Sequence, residues 1–260
     1  MKNIIFIEGV SGVGKSVTVQ KLGERLSGLG YSVRCHFEGD PDGPLDLCWV
    51  AYLTVSEYEN LLTSYPEFAA AFSENIIYQG GYILLRYQIG RTPLYPQEIY
   101  DELHKREFCY NPANTVPLIK FTEVFLNLWR QYAVSDEINC DYAVFDASLV
   151  SHMTSDMMRN YNASTAEMVN HLETLLQAIN FLNPIVFYLS SENVRERLTK
   201  ARQSRGQTPL KDRGVEFWEK RKQLDLTVLP KISVESHILD ISAGNWDETI
   251  DKIAAKIVDM

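Results

Sequence analysis

The feature that most constrains this chain is an octapeptide near its start, Gly9-Val10-Ser11-Gly12-Val13-Gly14-Lys15-Ser16. It fits the pattern G-x-x-x-x-G-K-[ST] at every position. The spacing has a physical reason. Glycines adopt positive φ and let the main chain approach a ligand closely. Successive N–H groups then point into one concavity, at the positive end of the following helix. Such a nest suits phosphate, with Lys15 reaching the terminal phosphoryl oxygens and Ser16 holding a divalent cation. From average residue usage the pattern arises by accident in roughly 1% of chains this long. Its setting argues against accident. Residues 3–8, Asn-Ile-Ile-Phe-Ile-Glu, form an apolar run suited to a buried parallel strand. Residues 15–26 carry Val19, Leu22 and Leu26 at helical spacing, and Gly28 and Gly30 stop that helix. The loop therefore predicts that Gly9, Val10, Ser11, Gly12, Val13, Gly14, Lys15, Ser16 and Val17 surround the phosphates of ATP with Mg²⁺.

The rest of the chain alternates strand and helix patterns. Strands are expected at residues 31–37, ending on Glu38, at 142–145, ending on Asp146, and at 184–189 and 237–241. A helix over 165–182 has Met168, Leu172, Leu175, Leu176 and Ile179 on one face, with Ser164 and Glu167 as a capping box. A basic helical stretch runs from 193 to 229. Asn245-Trp246-Asp247-Glu248 caps a last helix with Ile250, Ile253 and Ile257 inside. Residues 40–135 read as mainly helical and aromatic-rich. Their clearest segments are 78–87 and 121–132, interrupted by Pro93, Pro96, Pro112 and Pro117. The alternation implies an α/β chain with a parallel sheet covered on both faces.

Composition narrows the partners. With 260 residues and 45% hydrophobic, the chain can build one large core and reads as a single domain over 1–260. Its formal charge of −9 argues against duplex nucleic acid and against anionic membranes. No apolar run approaches the roughly 20 residues of a membrane-spanning helix, and Ile4-Ile5-Phe6-Ile7 is too short for a secretory signal. Cys35, Cys48, Cys109 and Cys140 are scattered without a C-x-x-C pair, and the histidines show no metal-ligand spacing. A cytoplasmic protein with reduced cysteines is expected.

A phosphate loop needs a carboxylate near its metal. Asp146 closes a hydrophobic strand, and ligands bind at that edge of an open α/β sheet. Ser16 and Asp146 are the candidate metal-site residues, with Asp146 on the cation or on a water bound to it.

These residues together resemble the thymidylate kinases and deoxynucleoside kinases. The resemblance lies in Ile7-Glu8-Gly9 before the loop, the strand ending in Glu38, and Asp146-Ala147-Ser148 after a strand. It continues in Tyr188-Leu189, followed by Val194-Arg195-Glu196-Arg197-Leu198-Thr199-Lys200-Ala201-Arg202-Gln203-Ser204-Arg205. It covers most of the chain in order and is specific at the phosphate loop. It implies a three-layer P-loop NTPase fold with about five parallel strands. It also implies an arginine-bearing lid at about 193–213 and an acceptor-site region at about 40–135. By the same resemblance Arg202 and Arg205 clamp phosphoryl oxygens, with Arg197 a weaker candidate. The resemblance also implies a general base at Glu38, with Asp40 two residues on as the other candidate, and a possible helical-face homodimer. The family has arginine where this chain has Ala147, and Arg86 or Arg91 are candidates to replace it.

The expected activity is a small-molecule kinase. Glu38, Asp40, Asp42 and Asp46 place four carboxylates within nine residues, beside Trp49 and Tyr52. A pocket so lined repels a nucleoside monophosphate and suits a neutral or amine-bearing acceptor. Glu38, Asp40 and Arg86 are the candidate acceptor contacts. Trp246 is a candidate neighbour of the adenine. The alternatives are a thymidylate-like nucleoside monophosphate kinase, a regulatory NTPase, and a nucleotide-binding module without catalysis. No N-K-x-D guanine-reading motif accompanies the loop. Intact Lys15, Ser16 and Asp146 weigh against the module.

Overall fold

A computed structural model describes residues 3–40, 43–111 and 116–258. In chain order the elements are β1 (Asn3–Glu8), α1 (Lys15–Gly28), β2 (Val33–His36), β3 (Val50–Thr54), α2 (Val55–Ser64), α3 (Ala69–Glu74), β4 (Ile76–Gln79) and β5 (Tyr82–Arg86). They continue with β6 (Gln88–Ile89), β7 (Thr92–Pro93), α4 (Gln97–His104), α5 (Leu118–Tyr132), β8 (Tyr142–Asp146), α6 (Ser151–Asn160) and α7 (Thr165–Ile179). Last come β9 (Pro184–Ser190), α8 (Val194–Ser204), α9 (Asp212–Val228), β10 (Glu235–Asp240) and α10 (Trp246–Val258). The chain divides by its contacts into two compact units, Met1–Leu45 with Leu118–Met260, and Asp46–Pro117.

The first unit is a mixed α/β structure. Its five-stranded sheet runs β10-β9-β1-β8-β2, parallel throughout. Period-two alternation sorts the side chains of the central strands. Ile5, Ile7, Val144, Phe187 and Leu189 pack with Val19, Leu22 and Leu26 of α1 and with Ile250, Ile253 and Ile257 of α10. The alternate residues Phe6 and Phe145 meet Trp129 of α5 on the other face. Both faces of β1 are thereby covered, which explains its continuous apolar run. Connections leave β1 towards β2 and β8 on one side and towards β9 and β10 on the other. The crevice at the C-terminal ends of the strands beside β1 is the ligand position in such sheets.

Helix boundaries follow local chemistry. The Ser164–Glu167 capping box forms, each side chain bonded to the other's backbone N–H. Asn245 Oδ1 accepts from the Glu248 N–H at the start of α10. The basic stretch is two helices, α8 and α9, separated by residues 205–211.

The second unit corrects the sequence reading. Residues 78–87, expected as a helix, belong to an antiparallel sheet of order β3-β5-β4. The signal was Gly80-Gly81, a two-residue turn between strand-forming residues. Its core gathers Ala51, Leu53, Ile83 and Leu85 with Tyr58, Leu61 and Phe72. Among the described residues no helix is long and apolar enough to cross a membrane.

Candidate active site

Residues 9–14 connect the end of β1 to the start of α1, and the octapeptide 9–16 is shaped by what packs against its glycines. The loop requires glycine at three positions: at Gly9, with φ +139°, a Cβ would lie 2.6 Å from the Leu189 carbonyl oxygen. Gly12 has φ +83°, and a Cβ there would lie 2.9 Å from the carbonyl oxygen of Arg197 in α8. Gly14 has φ +89°, and a Cβ there would lie 2.3 Å from the Trp246 indole. The first turn of α1 contains no acidic residue of its own. Lys15 is buried, with Nζ 3.4 Å from the carbonyl of Val10, so it folds back along the loop.

Asp146 ends β8 beside Ile7 of β1. Its Oδ2 accepts a 2.5 Å hydrogen bond from Ser16 Oγ. Its Oδ1 is buried and has no hydrogen-bond partner. Burial lifts the Asp146 carboxyl above its ordinary value. The Lys15 ammonium, the Ser16 hydroxyl and, more weakly, the Glu38 main-chain N–H pull it back, while the charge of Glu38 pushes it further up. Lys15, Ser16, Asp146 and Glu38 thus form one electrostatic neighbourhood at the C-terminal edge of the sheet.

A buried carboxylate oxygen without a donor is an incomplete arrangement, because buried polar atoms are nearly always paired. Oδ1 of Asp146 with the hydroxyl of Ser16 gives an all-oxygen donor set, which suits Mg²⁺. Both residues therefore fit the cation expected there. Among the described residues no group of three or more His, Cys, Asp or Glu side chains is arranged to hold a metal, here or elsewhere.

The remaining sequence candidates separate. Glu38 is exposed just past β2, and Asp40 is half-buried with its N–H on the Phe37 carbonyl. Asp42 lies outside the described residues. Asp46 folds its own turn, accepting from the Cys48 N–H at 2.8 Å. Arg86 ends β5 in the Asp46–Pro117 unit, opposite Val50, and Arg91 is exposed in the hairpin between β6 and β7. Arg197 is committed elsewhere. It donates to the carbonyls of Ile241 and Ser242 and lies 5.8 Å from the Trp246 ring centre. Arg202 Nε donates to the Thr208 carbonyl, and Arg205 is exposed at the end of α8.

Ala147 follows Asp146 at φ +60°, buried, with its N–H on the Ile7 carbonyl. No sequence rule predicts a left-handed alanine. Glu8 is the residue that sequence reasoning left without a role. It is fully buried and accepts from the N–H groups of Leu149, Val150 and Ser151 at 2.8, 3.0 and 2.7 Å. Ser151 Oγ in turn bridges the N–H and carbonyl of Gly9, both at 3.0 Å. An acid inside an otherwise apolar central strand was the available signal, since such a group must be paired.

The chain matches no protein-family model and no curated protein. The functional reading therefore rests on the residues and on their arrangement.

Proposed function

We propose that this protein is an ATP-dependent phosphotransferase on a three-layer P-loop fold. It would move the γ-phosphoryl group of ATP·Mg²⁺ to a hydroxyl of a small nucleoside-like or amine-bearing molecule. The observation that carries the reading is the Ser16–Asp146 pair, with a bare carboxylate oxygen beside Lys15. Loop 9–16 contributes backbone N–H groups at the head of α1, a helix whose first turn carries no acidic residue, and such groups recognise phosphate. Lys15 neutralises charge on the phosphoryl group in flight. Magnesium, when bound, would neutralise the β- and γ-oxygens, held by Ser16 and Asp146. Val17 sits exposed on the first turn of α1, and Trp246, which packs against Gly14, is the candidate neighbour of the adenine.

The acceptor side rests on Glu38. A general base must be near the reacting centre yet open to the acceptor. Glu38 is exposed and its charge is felt by Asp146. Asp40 adds a second negative group that disfavours a phosphorylated acceptor. Arg202 and Arg205 stand on the last turn and at the C-terminus of α8, whose second turn touches Gly12. From there they suit a lid that contacts phosphoryl oxygens in the closed state.

The test is phosphoryl transfer from γ-labelled ATP with Mg²⁺ to a panel of nucleosides, nucleoside monophosphates and amine-bearing alcohols. Label is expected on a nucleoside or amine-bearing alcohol. Lys15→Ala should lose at least about 100-fold of that rate. Preference for nucleoside monophosphates would remove the argument from Glu38 and Asp40. Free phosphate released at one rate with or without acceptor would replace the kinase by an NTPase.

A further inference from the structure

Glu8 belongs to a closed circuit of buried polar groups that none of the roles above uses. Glu8 and Ser151 fasten the first turn of α6 to the start of loop 9–16. One turn further along α6, Thr154 Oγ1 donates to Asp225 Oδ1 of α9 at 2.9 Å, and Ser155 Oγ accepts from Arg221 at 2.7 Å. Ser155 Oγ also reaches the carbonyl of Ser151 at 3.0 Å, tying the two turns together. Arg221 pairs with Asp225 at 3.0 Å on the same helix. The Tyr188 hydroxyl of β9 donates to Asp225 Oδ2 at 2.9 Å. Tyr188 stands opposite Glu8 in the sheet register, which closes the circuit through β1, α6, α9 and β9. All of these side chains are buried.

We propose that Arg221 and Asp225 are positioning residues for loop 9–16 and Asp146, acting through α6. The inference rests on the reading of that loop and Asp146 as the active site. Asp146 is joined to α6 by only residues 147–150, and the His152 N–H holds the carbonyl of Ala147. A rotation of α6 would therefore be transmitted to Asp146 and, through Ser151, to Gly9. A buried ion pair is a poor source of stability, because apolar residues of similar size often serve as well. What the pair does supply is discrimination. Any rotation of α6 or α9 would strand Asp225 or Arg221 without partners, so one orientation is selected. Arg221 pairs with one carboxylate, Asp225. Burial opposes its charge, but the charge and hydrogen bonds of Asp225 outweigh that and hold it above its ordinary value, with Tyr188 and Glu8 adding less.

The test uses two kinds of variant in the full chain. Thr154→Val with Tyr188→Phe removes two hydrogen bonds to Asp225 and keeps the ion pair. Arg221→Met with Asp225→Leu replaces the pair by apolar groups. The readouts are amide hydrogen exchange at Leu149, Val150 and Ser151, thermal stability, and kcat and KM for transfer from ATP. Positioning predicts exchange at those three amides faster by at least about tenfold in both variants. It also predicts kcat lower by at least about tenfold with KM for ATP within about twofold, whatever the thermal midpoint does. Unchanged exchange at Leu149, Val150 and Ser151, with only the thermal midpoint moved, would overturn the proposal. Should the pair replacement fail to fold, the hydrogen-bond deletions decide alone. Should the wild-type chain transfer no phosphoryl group, the proposed activity falls, while the exchange result still decides the positioning role.

Discussion

Asp146 and Glu8 are both buried carboxylates, both raised above their ordinary values chiefly by burial. They should nevertheless respond oppositely to amide replacement. Glu8 uses both oxygens, two N–H donors on one and one on the other, so Glu8→Gln presents an NH₂ where an acceptor is needed. That change should cost about 1–3 kcal/mol. Asp146 has one oxygen bonded to Ser16 and one without a donor. A carboxyl whose folded value is raised contributes stability below its unfolded value, and loses it as pH rises through the folded value. At neutral pH the charged Asp146 is therefore a cost that Asn removes. Asp146→Asn should melt higher than wild type near pH 7, by about 2–4 °C per kcal/mol gained. The gap should shrink as pH falls to the ordinary carboxyl value of 3.8. Transfer should be lost in the same variant. Thermal melts from pH 3.5 to 8 check the sign, and a variant less stable than wild type at every pH would mean that the Lys15 attraction outweighs burial. That Lys15, Ser16 and Asp146 lie together was legible in the sequence, because a motif and a strand end announce them. Arg221 and Asp225 were not, since an i,i+4 pair in a charged helix looks like a solvated face until the packing is known.

Elements were legible where one physical signal dominated. The strand over residues 3–8 was read to the residue, because a run of Ile and Phe closed by glycine fits few alternatives. The later strands were placed within a few residues, and the Ser164–Glu167 box marked the start of α7. The Asp46–Pro117 unit was misread because Tyr and Leu at mixed spacing satisfy both periods, and the Gly80-Gly81 turn was given no weight. Contacts between elements were not legible at all, and they decide how the glycine loop tolerates change. Gly12→Ala would drive a Cβ against the backbone of α8, while Gly14→Ala would meet only the Trp246 side chain, which can turn away. Each pays for positive φ, about 1–2 kcal/mol. A double-mutant cycle should show Trp246→Ala recovering at least about 0.5 kcal/mol of the Gly14→Ala cost and none of the Gly12→Ala cost. Equal coupling at both positions would mean that the tryptophan supports the whole loop rather than covering one residue of it.

At the scale of the whole molecule, the chain's charge and its candidate ligand oppose each other. The formal charge is −9, yet the proposed donor is an anion that must reach Lys15 and the head of α1. Local attraction acts at contact distance and is little screened, whereas repulsion by the distributed charge acts over tens of ångströms. The screening length falls from about 30 Å at 0.01 M salt to about 8 Å at 0.15 M. A site about 20 Å from the centre of charge of a chain this long lies inside the first length and well outside the second. Salt should therefore remove the repulsion first. The association rate of ATP·Mg²⁺ should rise several-fold over that range, with the dissociation rate changing less. A phosphate site in a basic cleft would show the reverse, an association rate falling steeply with salt. Stopped-flow measurement at four ionic strengths separates the two. A falling rate would show that the field at the mouth of the site is positive despite the net charge. The local array of Lys15, Arg202 and Arg205 would then steer the nucleotide as well as hold it.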